Sequence, residues 1–101
     1  MAMTIEKKEG NGTLTFVLKG RLDTSTAPEL QHEIDTCLNG VKELSFEISG
    51  LEYLSSAGLR TLLSAQKTMN GQGTMKVLHP KDSVMEIFEI TGFTDILTII
   101  K

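Results

Sequence analysis

Two adjacent serines, Ser55 and Ser56, are the residues best placed to do chemistry in this chain. They follow a strand-like stretch and a short loop. They precede Leu59, Leu62, Leu63 and Met69, which recur at helical spacing. A hydroxyl at the start of a helix meets backbone N–H groups that have no partner within the helix. It also lies at the positive end of the helix dipole. Such a hydroxyl can cap the helix, or it can carry a phosphoryl group that the same features stabilise by about 0.3–1 kcal/mol. Phosphorylation adds about −1.5 to −2 charges and three acceptor oxygens. The chain already carries a net charge of −3, so a partner that accepts the neutral hydroxyl would reject the dianion by repulsion and desolvation. Gly58 is a poor helix former in a first turn, and its missing side chain would let another chain approach closely. Arg60, one turn into the helix, can pair with a phosphate or a partner carboxylate.

The remaining reactive residues give less. A nucleophilic serine needs an adjacent base and an oxyanion hole. Gly-x-Ser-x-Gly does not occur around Ser56, and there is no Gly-x-x-x-x-Gly-Lys phosphate loop. His32 falls on the polar side of a predicted helix and His79 ends a predicted strand before Pro80. The chain is therefore expected not to be an enzyme, unless the fold brings His79 to Ser56. The single cysteine, Cys37, excludes an internal disulfide, and with two distant histidines it makes no zinc site. Its place beside an apolar stripe predicts a small buried hydrophobe.

The 101 residues suit one domain over 1–101, with 40% hydrophobic and 23% charged residues, an ordinary globular balance. Ten basic residues against 13 acidic ones, without a basic cluster, argue against nucleic-acid binding. The apolar runs are too short to insert in a membrane, and the N-terminus lacks the apolar core of a signal peptide. A reduced, cytoplasmic domain is expected.

The elements that must position these groups follow from periodicity. Residues 3–8 read as a strand, Asn11-Gly12 as a turn, and 13–19 as a strand with Leu14, Phe16 and Leu18 on one face, ended by Gly20. Thr26 and Glu29 have capping-box spacing, Pro28 suits a first turn, and Ala27, Leu30, Ile34 and Leu38 form the stripe of a helix over 27–39. A strand over 44–48, a loop over 51–54, a helix over 57–70 and a strand over 75–78 come next. Ser83 and Glu86 match a second capping box, opening a short helix that Gly92 closes. Residues 96–100 read as a last strand. The order β-β-α-β-α-β-α-β predicts an α/β fold: a mixed, mostly parallel sheet of about five strands with helices packed against it. The pattern leaves the neighbour order of the strands open.

Three blocks carry a family resemblance. The stretch 48–63, Ile-Ser-Gly-Leu-Glu-Tyr-Leu-Ser-Ser-Ala-Gly-Leu-Arg-Thr-Leu-Leu, resembles the signature of the STAS family of bacterial anti-sigma-factor antagonists. Residues 20–30, from Gly-Arg-Leu-Asp-Thr to Pro-Glu-Leu, and 84–93, from Val-Met-Glu-Ile to Gly-Phe, resemble two further blocks in the same order. The family pattern at the second block is Asp-Ser-(Ser/Thr)-Gly, with the first serine phosphorylated. Anchored on Gly58, that serine is Ser56, with Ser55 as runner-up; Ser55 replaces the aspartate and Ala57 the following Ser/Thr. The resemblance implies a partner switch that regulates transcription. The unphosphorylated antagonist binds an anti-sigma factor that is also a serine kinase, and phosphorylation at Ser56 releases it. A metal-dependent serine phosphatase then resets the switch. This chain would hold no cofactor, since ATP and magnesium belong to the kinase. Asp23, Thr24, Ser55, Ala57, Gly58 and Arg60 become the expected partner contacts. The alternative within the family is an accessory subunit of an ABC-type lipid transporter or of a stress-sensing complex.

Overall fold

The computed structural model describes residues 3–101. Among them the chain forms five strands and three α-helices: β1 (Met3–Glu9), β2 (Thr13–Leu22), α1 (Ala27–Cys37), β3 (Glu43–Leu54), α2 (Ser56–Asn70), β4 (Thr74–Leu78), α3 (Asp82–Thr91) and β5 (Ile99–Ile100). A 3₁₀ turn, Phe93–Asp95, precedes β5. The strands lie in the order β1-β2-β3-β4-β5. Only β1 is antiparallel to its neighbour, because the short turn at Gly12 returns the chain directly, whereas each later strand is reached through a helix.

Burial alternates along the strands. Leu14 and Phe16 of β2 pair in parallel with Leu44 and Phe46 of β3, which pair in turn with Met75 and Val77, and Leu18 and Ile48 are buried as well. The rings of Phe16 and Phe46 stack with centroids 5.4 Å apart. Onto this face α1 sends Ala27, Leu30 and Ile34, α2 sends Leu59, Leu62, Ala65 and Met69, and α3 sends Val84 and Phe88, closing a single core. The other face carries Thr15, Lys19, Ser45, Glu47 and Lys76, none of them buried. One face sealed and one wet is the burial pattern that strict alternation predicts.

Several boundaries move. Gly20 does not end β2; the ladder shifts register there, at positive φ, and runs on to Leu22. The expected loop at 51–54 is strand, because Leu51, Tyr53 and Leu54 continue the pairing with β2 and bury Leu51 and Leu54. The last strand shrinks from 96–100 to Ile99–Ile100, since 93–95 turn as 3₁₀. Ser83 caps nothing: α3 begins at Asp82 after Lys81, and its far end closes on Gly92 in the left-handed conformation as expected. Cys37 is half-buried at the end of α1, not in the core; its Sγ lies 3.6 Å from Lys7 Nζ and 3.7 Å from a Glu33 oxygen.

Candidate functional site

The C-terminal ends of β2 and β3 and the first turns of α1 and α2 meet at one rim of the sheet. The backbone N–H of Ser55 donates to the Leu22 carbonyl at 2.9 Å, which ties the start of α2 to the end of β2. Ser55 is the N-cap of α2: it is extended, and its Oγ accepts from the Gly58 N–H at 3.3 Å. Ser56 is the first helical residue and is exposed. The two serines thus divide the work. One satisfies the backbone, and the hydroxyl of the other makes no hydrogen bond among the described residues.

Gly58 corrects the expectation of a surface contact. It is buried, and a Cβ there would come within 2.7 Å of Leu22 Cγ and Leu54 Cδ1 and 3.0 Å of the Leu22 carbonyl oxygen. The close approach that needs a glycine is made by this chain's own strands, not by a partner.

The loop before α1 is an interlocked turn. Oδ1 of Asp23 accepts from the Ser25 N–H at 3.0 Å, the Ser25 hydroxyl at 2.7 Å and the Thr26 N–H at 3.2 Å. The Thr26 hydroxyl accepts from the Asp23 N–H at 2.9 Å and donates to the Arg21 carbonyl at 2.7 Å. Thr26 therefore points back into the turn and makes no side-chain cap on α1, so the expected Thr26–Glu29 capping box does not form. The Ser25 hydroxyl, with the Ser25 and Thr26 N–H groups, holds the Asp23 carboxyl below the usual carboxylate range. Its second oxygen faces Arg21 Nε at 3.7 Å. The Arg21 guanidinium lies 4.2 Å above the ring of Tyr53, its partner across the β2–β3 ladder. Sequence reasoning missed this pair, because it left open which strands are neighbours.

Between the two helix starts runs an apolar-floored groove of about 380 Å³, lined by Thr24, Ala27, Pro28, Gln31, Ala57, Arg60 and Thr61. Of the expected contacts, Thr24, Ala57 and Arg60 line it. Ser56 borders it through Ala57, while Asp23 and Ser55 are half-buried and serve the local backbone. His79 stays away: it caps β4 at φ 57°, and its Nδ1 lies 2.7 Å from a Glu47 oxygen. Since Leu78 pairs with Glu47, His79 sits beside the middle of β3, well short of Ser56. His32 is exposed on α1.

The fold, a mostly parallel sheet with two helix starts converging on an exposed serine, is that of a small regulatory binding domain. The STAS domain family model matches residues 4–101. The chain belongs to the STAS family. It is 33% identical over 101 residues to BtrV of Bordetella bronchiseptica, a candidate anti-sigma factor antagonist, with 98% of this chain and 85% of that protein covered. It is 30% identical over 104 residues to an anti-sigma-B factor antagonist of Listeria monocytogenes, covering 98% and 90%. A crystal structure of an anti-sigma factor antagonist from Mycobacterium paratuberculosis superposes with a TM-score of 0.88 at 20% identity, covering 97% and 85%. The phosphorylated form of the Bacillus cell-fate determinant SpoIIAA superposes with a TM-score of 0.75 at 17% identity, covering 95% and 90%. No helix among the described residues is long and apolar enough to cross a membrane.

Proposed function

We propose that this protein is an anti-sigma-factor antagonist. Unphosphorylated, it binds an anti-sigma factor that is also a serine kinase; phosphorylation at Ser56 ends the complex, and a metal-dependent serine phosphatase restores it. One observation carries the assignment of Ser56. Its hydroxyl is exposed, one residue before Ala57 of the α1–α2 groove, and has no structural duty, because Ser55 already caps the helix. A phosphoryl group there adds about −1.5 to −2 charges beside an apolar floor that a partner must desolvate. The Listeria relative, an anti-sigma-B factor antagonist, supports the same reading.

The chain does no chemistry of its own in this scheme. ATP and magnesium sit on the kinase, and the switch operates in the cytoplasm. His79, the side chain that could have served as a base for a nucleophilic serine, is engaged by Glu47. The test is to incubate the protein with ATP and a cognate anti-sigma-factor serine kinase, and to map the product by mass spectrometry. Ser56→Ala is expected to keep the fold and lose the label. Equal labelling of the Ala variant refutes the assignment. Ser56→Glu is expected to weaken binding to the unmodified kinase more than about tenfold, or 1.4 kcal/mol.

A further inference from the structure

Arg60 is the groove residue whose charge nothing in the fold uses. Among the described residues three ion pairs form, Lys7–Glu33, Arg21–Asp23 and Lys81–Glu52, besides the His79–Glu47 contact, and Arg60 enters none of them. α2 contains no aspartate or glutamate that could engage it from its own helix. Arg60 is exposed and forms the wall shared by two hollows. One is the α1–α2 groove; the other, about 430 Å³, is lined by Leu63, Ser64, Lys67 and Thr68 as well as Arg60.

Ser56 and Arg60 are four residues apart on this helix. Such residues are neighbours on a helix surface, about 5–6 Å apart at Cβ, and an anion four residues before a cation is the favourable order. Helical side chains tilt toward the N-terminus, so that of Arg60 covers the turn containing Ser56. A guanidinium fork also matches phosphate geometry.

We infer that Arg60 is an internal latch for the phosphorylated state: its guanidinium pairs with the phosphoryl group on Ser56 and leaves the wall between the two hollows. Phosphorylation then alters the docking face twice. It adds a dianion one residue before Ala57 of the groove, and it withdraws a cation and a long side chain from the groove. The physiological role of the latch rests on Ser56 being the acceptor, but the pairing itself can be measured without the kinase.

Phosphoserine is inserted genetically at position 56 of the full chain, and its second ionisation is followed by phosphorus-31 NMR. Arg60 is compared with Arg60→Gln and Arg60→Lys. The other charged groups, Asp23 before α1, Glu29 on α1 and Lys67 on α2 itself, are common to all three proteins and cancel. Pairing lowers the phosphoryl pKa with Arg60 by about 0.15–0.4 unit relative to Arg60→Gln, the 0.2–0.5 kcal/mol of such a pair at about 1.4 kcal/mol per unit. Arg60→Lys falls between, and the difference shrinks in roughly 1 M salt. Matching melting curves of the unmodified proteins establish that the substitutions leave the fold intact. Phosphoryl pKa values that agree within about 0.1 unit for Arg60 and Arg60→Gln overturn the latch. Failure of the kinase to label Ser56 overturns the acceptor assignment instead, and the two failures are read in separate experiments.

Discussion

Replacing Ser55 and Ser56 one at a time should separate stability from regulation. Ser55→Ala removes the hydroxyl that accepts from the Gly58 N–H. Loss of a serine cap costs about 0.5–2 kcal/mol. The bond is 3.3 Å long, at the weak end of the normal range, so the lower half applies, about 0.5–1 kcal/mol. For a domain of this size that lowers the melting temperature by about 2–8 °C. Ser56→Ala removes an exposed hydroxyl with no protein partner and introduces the best helix former. Its expected change is within about 0.5 kcal/mol, toward stability if either way. Ser55→Asp retains a capping oxygen and adds a negative charge at the helix start, for a gain of about 0.3–1 kcal/mol over serine at low salt. Urea titrations with circular dichroism read all three at a common slope. The division of labour between the serines is refuted if Ser56→Ala costs as much as Ser55→Ala. It is also refuted if Ser55→Asp is less stable than Ser55→Ala.

Other substitutions probe the frame behind the site. Phe46→Ala should cost about 3–5 kcal/mol, because its fully buried ring stacks on Phe16 at the centre of the sheet; loss of the cooperative thermal transition near 37 °C checks this. Gly73→Ala should destabilise by about 1–3 kcal/mol in urea, since the new Cβ would lie 2.0 Å from the Lys42 carbonyl oxygen, a backbone atom that cannot swing aside. Asp23 and Glu33 both titrate below their ordinary values, Asp23 chiefly through the Ser25 hydroxyl and Glu33 chiefly through the Lys7 ammonium. A depressed folded pKa gives stability that is present above the unfolded value and lost as pH falls through the folded one. The melting temperature should therefore decline below about pH 4, and the decline should be shallower in Asp23→Asn.

The alternating and helical periods of the sequence were enough to specify the secondary elements, because burial on one face is a local pattern that each segment carries by itself. The same holds for the serine pair at a helix start and for the chain reversal at Gly12. The sequence did not state where the strands end. Gly20 and the stretch 51–54 look like breaks when read alone, yet β2 and β3 pair through them, since the ladder supplies hydrogen bonds that offset a weak local preference. Capping was also decided in three dimensions. Thr26 has the spacing of a cap but a nearer set of partners in the Asp23 turn, and Gly58 faces the strands behind it instead of a partner in front. For Ser56, periodicity placed a hydroxyl at the head of a helix, and residue types alone allowed it to be either cap or switch. Only the packed structure gave the cap to Ser55 and left Ser56 exposed beside the groove. Which of two adjacent hydroxyls meets the free N–H depends on the angle at which the chain enters the helix, and the bond from Ser55 to Leu22 sets that angle.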